Sequence, residues 1–184
     1  MFYTMNVAGL TRDLPICPVN ENLYIAGFVI FGDPELTECC ARELLKKAPE
    51  YDYIITAEAK GIPLAHEMAR QAGDQRYILA RKGPKLYMQD VVSVTVNSIT
   101  TAKEQKLFLD TADAEMMKGK KILLVDDVIS TGESLRALEV LVEKAGGIIA
   151  GRMAILAEGE AQDRADLIYL EKLPVFHPDG TVME

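Results

Sequence analysis

Short apolar runs alternate along this chain with segments whose apolar positions recur at helical spacing. Asp33-Pro34 reads as a helix N-cap followed by proline at the first helical position. Leu36, Cys39, Cys40, Leu44 and Leu45 then carry a helix through about Lys47. Tyr53, Ile54, Ile55 and Thr56 form a strand, residues 57–61 a turn, residues 62–71 a helix, and Tyr77, Ile78, Leu79 and Ala80 the next strand. The continuous apolar run at residues 121–125, entered by two lysines, suits a strand covered on both faces. Leu135, Leu138, Leu141, Val142 and Ala145 return to helical spacing until Gly146-Gly147 ends the helix. Residues 148–156 and 167–170 are further strands. Between residues 83 and 107 the rhythm changes: Val91, Val92, Val94 and Val96 favour extended chain and residues 97–106 are polar, which predicts a hairpin or an excursion from the sheet. Strand alternating with helix predicts an α/β fold, with a mainly parallel twisted sheet and helices on both faces, in a single domain over residues 1–184.

Charge and composition narrow the partners. The formal net charge is −8, so the surface as a whole repels phosphate backbones and no nucleic-acid partner is expected. No apolar run approaches the roughly 20 residues that span a bilayer. The first ten residues lack the basic start and apolar core of a signal peptide, so no membrane partner and a cytoplasmic location are expected. Cys17, Cys39 and Cys40 have no CxxC spacing, and with His66 and His177 they read as packing or surface residues rather than a zinc site or disulfide framework. Arg81, Lys82 and Lys85 form a basic cluster inside this acidic chain; such a cluster is as often a solvated loop as a site.

The stretch from Ile122 to Ser134 carries the chemistry. An apolar strand ends in Asp126 and Asp127, and a turn of Ser130, Thr131, Gly132, Glu133 and Ser134 opens a helix. Backbone N–H groups at a helix start favour an anion. The hydroxyls of Ser130, Thr131 and Ser134 would add donors to a phosphate there. Ionised carboxylates only accept hydrogen bonds, so the two aspartates suit a vicinal diol. Phosphate beside diol describes a ribose 5-phosphate. GxGxxG and GxxxxGK[ST] are both absent, which disfavours a dinucleotide fold and a P-loop. A phospho-receiver domain also begins with paired acids, but it needs further strands for which little chain follows Asp127, and it gives the turn no role. A capped helix after an acidic strand end is the plain structural alternative.

This stretch resembles the phosphoribosyl pyrophosphate (PRPP) signature of the type I phosphoribosyltransferases. Residues 56–65, with Glu58, Ala59, Lys60 and Gly61 at their centre, resemble the family's pyrophosphate loop in its adenine-like purine branch. Residues 80–86 resemble that branch's strand end and lid start, and residues 28–33 weakly resemble its base-covering hood. The resemblance implies a purine phosphoribosyltransferase that uses PRPP and a purine base, with adenine favoured. A 6-oxopurine or xanthine enzyme of the same fold, or a PRPP-sensing regulator without catalysis, stays open. It implies Mg²⁺ carried on PRPP and water, with no direct protein ligand, and a hood over residues 1–33 with a flexible lid over residues 83–106. Asp126, Asp127, Arg81 and Lys85 are implied as catalytic. The turn from Ser130 to Ser134 would hold the 5-phosphate. Glu58, Ala59, Lys60, Gly61, Arg81, Lys82 and Lys85 would hold pyrophosphate, and Val29 and Phe31 would meet the base. A homodimer is implied too, to which the apolar Phe2, Tyr3 and Met5 would contribute. Three departures stand out. Asn97, Ser98, Thr100, Thr101 and Glu104 replace the lid's aromatic–acid pair, Gly32 stands at the hood arginine, and Glu133 stands where a small residue is common, so its side chain is expected to point away from the phosphate.

Overall fold

The chain opens with strands that its sequence pattern did not announce. The computed structural model describes residues 1–88, 90–97 and 104–183, with backbone alone at Asn97 and Glu104. Strand β1 (Phe2–Val7) folds back on β2 (Leu10–Pro18), which pairs antiparallel with β3 (Tyr24–Ala26). Ala8 and Gly9, both at positive φ (51° and 80°), make the two-residue turn whose twist matches its strands. Only Met5, Val7 and Leu14 of the first two strands are fully buried, so the alternation is too sparse to stand out in the sequence. Met5 therefore belongs to the core rather than to a surface for a second copy. Tyr3 packs on Phe176 with ring centroids 5.2 Å apart, while Phe2 is exposed.

Helix α1 (Pro34–Leu45) follows, then β4 (Tyr53–Ala57), α2 (Ile62–Ala72) and β5 (Ile78–Ala80). The expected excursion is a hairpin of β6 (Val92–Asn97) and β7 (Glu104–Leu109), paired antiparallel, with helix α3 (Thr111–Met117) after it. The turn of that hairpin, with Ser98, Thr100 and Thr101, lies outside the described residues, as do the side chains of Asn97 and Glu104. Next come β8 (Lys121–Ile129), α4 (Glu133–Lys144), β9 (Ile148–Glu158), a 3₁₀ turn (Gly159–Asp163), β10 (Ile168–Leu173) and β11 (Val175–Phe176). β11 returns to pair with β3, closing a four-stranded sheet in the order β1-β2-β3-β11. Among the described residues no helix is long and apolar enough to cross a membrane.

The central sheet is parallel throughout, in the order β10-β9-β8-β4-β5. On one face α1, α2 and the N-terminal sheet cover Ile54, Leu123, Val125 and Ile155; on the other α4, Met117 and the β6–β7 hairpin cover Ile55, Ile122, Leu124 and Ala154. The expected parallel sheet with both faces covered is thus what forms. Its strand order reverses between β4 and β8. From β4 the chain moves outward to β5, and from β8 it moves the other way to β9 and β10. Loops leaving the two strands diverge, which opens a crevice at their carboxyl ends.

Arg12 of β2 ties the N-terminal sheet to the core. Its Nε donates to Asp33 at 2.7 Å, and Asp33 in turn caps α1 by accepting from the Leu36 N–H at 3.0 Å. The Arg12 guanidinium holds the Asp33 carboxyl below its usual range. Asp33→Ala removes the cap and leaves Glu35 as the one carboxylate bonded to Arg12 among the described residues, so it should destabilise the protein by about 1–2 kcal/mol. Urea unfolding checks this, and an unchanged midpoint would show that neither contact matters.

Candidate active site

β8 is longer than its neighbour. It pairs with β4 only from Ile122 to Leu124, yet stays paired with β9 through Ile129. Asp126 and Asp127, expected at the end of a strand, lie inside the part that outruns β4. One edge of the strand is therefore free at the acids, while β9 holds the other. The residues brought together around this cleft are Glu58, Ala59, Lys60, Lys82, Asp126, Asp127 and the whole turn from Ser130 to Ser134. Glu133, at the start of the helix, lines it as well. Gln105 and Leu107 of the hairpin form the remaining side, with Val128 and Ile129 of β8.

Gly61 brings the loop after β4 against the acids. A Cβ there would stand 2.2 Å from Thr56 Oγ1, 2.9 Å from Asp126 Oδ1 and 3.3 Å from Asp126 Cα. Across the cleft Lys60 Nζ lies 3.0 Å from Asp127 Oδ2, an ion pair between a half-exposed ammonium and a buried carboxylate. Its contact lacks hydrogen-bond geometry, so that oxygen and the Thr56 hydroxyl remain buried without a hydrogen-bond partner among the described residues. Such groups are costly to bury and await a donor or acceptor.

The cations are graded by position. Lys60 and Lys82 line the cleft, whereas Arg81 and Lys85 do not. Glu58 holds Arg81 and Lys82 in place: its carboxylate lies 3.5 Å from Arg81 Nη2 and accepts from the Lys82 N–H at 2.9 Å. Arg81 also bridges to Phe108 through both backbone groups, which joins β5 to the hairpin. Val29 and Phe31 are exposed. Phe31 lines a groove with Ala59, Pro63 and His66, beside the cleft rather than in it.

Two helix starts flank the crevice. α2 follows Gly61 and α4 follows Gly132, and neither has a side-chain hydrogen bond at its cap. α1 and α3 are capped by Asp33 and Asp110. An acidic cap would repel a bound anion, and its absence leaves backbone N–H groups to meet one. Gly132 has φ of 78°, and a Cβ there would stand 2.8 Å from Arg164 Nη1. The left-handed backbone disfavours any side chain there, and the Arg164 guanidinium would have to move aside for one. Arg164 is a residue that sequence reasoning missed, because only the return of the chain after β9 brings it behind the turn.

Fold and cleft together define an α/β protein with two helix starts, each without a side-chain cap, on either side of a carboxylate pair. Residues 37–171 match the phosphoribosyl transferase domain family, and the chain belongs to it. It is 30% identical over 159 residues to an adenine phosphoribosyltransferase of Kosmotoga olearia, covering 83% of this chain and 87% of that one. It is also 30% identical over 157 residues to a hypoxanthine/guanine phosphoribosyltransferase of Methanothermococcus okinawensis, covering 83% and 81%. The crystal structure of adenine phosphoribosyltransferase from Thermoanaerobacter pseudethanolicus superposes with a TM-score of 0.70 at 21% identity, over 86% of this chain and 95% of that one.

Burial, and then the neighbouring Asp127, push the Asp126 carboxyl up to about 7, against an opposing hydrogen bond from the Asp127 N–H at 2.9 Å. A folded-state value above the unfolded one favours folding while the acid is protonated. The benefit is complete below the ordinary carboxylate value and lost as pH rises through about 7. Asp126→Asn keeps the neutral form at every pH. Its stability relative to the parent protein should therefore rise from pH 5 to pH 8 in urea unfolding; a pH-independent difference would show that Asp126 is not held protonated.

Proposed function

We propose that this protein transfers the phosphoribosyl group of PRPP to a purine base, adenine in preference, giving a nucleoside monophosphate and pyrophosphate. The observation that carries the reading is the placement of two uncapped helix starts across Asp126 and Asp127 at the sheet's switch point. The turn from Ser130 to Ser134 takes the 5-phosphate on its N–H groups and hydroxyls. The two aspartates accept hydrogen bonds from the ribose diol. The loop of Glu58, Ala59, Lys60 and Gly61, with Lys82, takes the pyrophosphate.

The C1–O bond to pyrophosphate breaks as a purine nitrogen forms its bond to C1, and the proton of that nitrogen leaves to pyrophosphate or water. Positive charge develops on the ribose ring in between. Asp127, ion-paired to Lys60, stabilises that charge, and Asp126 adds to it when ionised. Lys60 and Lys82 neutralise the leaving group, and the partly buried Arg81 reinforces them from behind Glu58. Among the described residues no group of three or more His, Cys, Asp or Glu side chains is placed to hold a metal. Mg²⁺ on PRPP would be met by Asp126 and Asp127 through water and would offset charge on the pyrophosphate. Residues 83–106 serve as the lid that excludes water, and residues 1–33 as the hood over the base. The protein acts in the cytoplasm as a homodimer, with the exposed Phe2 among its contacts.

The preference for adenine rests on the relatives named for it, against others named for hypoxanthine and guanine. Pyrophosphate release from PRPP measured in parallel with adenine, guanine, hypoxanthine and xanthine decides the matter. The expected outcome is base-dependent release with the highest kcat/KM for adenine. Tight PRPP binding with no release for any base would replace catalysis by PRPP sensing.

A further inference from the structure

The phosphate and sugar contacts leave a second cavity unused. It measures about 900 Å³ and shares Ser130, Thr131, Gly132 and Glu133 with the cleft, so the two are contiguous. One side is apolar: Leu23, Ile25 of β3, Val175 of β11 and Val96 of β6. That wall suits the flat face of an aromatic base. The opposite side carries charge, and its members differ in how far they are already satisfied. Arg164 forks onto Asp166 with bonds of 3.0 and 2.9 Å, and Arg136 lies 3.3 Å from Glu139.

Glu158 is the exception. It ends β9 one residue beyond Ala157, which pairs with Ile129, so it stands beside the first residue of the phosphate turn. It is partly buried and lines the cavity. No described residue donates a hydrogen bond to its carboxylate. Burial pushes this acid above its ordinary range, and the charge of Lys60 draws it back, which places it within electrostatic reach of the residue facing Asp127. A carboxylate kept partly from water with no donor from the protein is free to accept one from a ligand.

We infer that Glu158 reads the exocyclic amino group of the incoming base, and so selects 6-aminopurines over 6-oxopurines. The inference rests on the phosphoribosyl-transfer reading and deepens it. An ionised carboxylate only accepts hydrogen bonds. Adenine presents an amino group at C6, which donates. Hypoxanthine presents a carbonyl oxygen there, and two acceptors facing one another leave both unpaired. Sites built on a buried polar partner reject the wrong group more strongly than apolar pockets reject an extra methylene. This assignment shifts base selection from Val29 and Phe31 to the end of β9.

The test is kcat/KM for adenine and for hypoxanthine in the parent protein, in Glu158→Gln and in Glu158→Ala. The thermal shift produced by PRPP is measured in each as a check on the folded cleft. The parent protein should favour adenine. Glu158→Gln, whose amide can donate to the carbonyl, should lower the adenine-to-hypoxanthine ratio by about 10–100-fold. Glu158→Ala should lower adenine use without raising hypoxanthine use. PRPP should stabilise all three proteins alike. A ratio unmoved in Glu158→Gln with the PRPP shift intact overturns the role of Glu158 alone, and a parent protein that favours hypoxanthine overturns it together with the adenine preference but leaves phosphoribosyl transfer standing. A parent protein that turns over neither base overturns the phosphoribosyl reading and this inference together.

Discussion

The site depends on how closely the loop after β4 can approach β8. Gly61 sits where no side chain fits, because a Cβ would stand 2.2 Å from the Thr56 hydroxyl and 3.3 Å from the Asp126 Cα. The second of these is backbone and cannot swing aside. With hydrogen at that position, the start of α2 lies directly against the carboxylate pair, and Lys60 from the same loop reaches Asp127. Widening this contact would separate the loop proposed for pyrophosphate from the acids proposed for the sugar. Gly132 imposes the matching condition on the other side, where a left-handed backbone and the nearby Arg164 guanidinium shape the turn into α4.

Electrostatics then give each part of the cleft its task. The chain carries a net charge of −8, yet Lys60 and Lys82 stand at the one place where a pyrophosphate would need them. Burial of two adjacent acids is unfavourable in itself, as the raised Asp126 carboxyl shows. The protein tolerates it because Lys60 offsets Asp127, and because sugar hydroxyls can donate to both carboxylates. Backbone dipoles at the starts of α2 and α4 add fixed positive ends without adding side chains that would have to be desolvated. Opposed charges thus meet in this crevice, while the hydrophobic layers on both sheet faces supply the stability that holds it in place.

Much of this was legible because it is local. The residues from Ile122 to Ser134 follow one another in sequence, so a strand, two acids and a helix start could be read as one unit. The Asp33 cap and the hairpin after residue 90 were equally visible. What the sequence concealed depends on chain returns. β8 gains its length from pairing with β9, which places the acids within the strand rather than after it. The N-terminal sheet needs β11, from the far end of the chain, to complete it. The resemblance implied Arg81, Lys82 and Lys85 alike for the pyrophosphate; Lys82 is the member of that cluster in the cleft lining, and Arg81 is ion-paired to Glu58. Glu158 carried no local motif at all. Its interest comes from a cavity wall supplied by β3, β6 and β11.

The central claim is that Asp126 and Asp127 grip the ribose diol of PRPP while the two helix starts hold its phosphates. Isothermal titration of PRPP into the parent protein, Asp126→Asn and Asp127→Asn, each shown folded by circular dichroism, tests it most directly. The account predicts a loss of about 1–3 kcal/mol in binding free energy for each substitution. Affinity equal to that of the parent protein in both folded variants would contradict it.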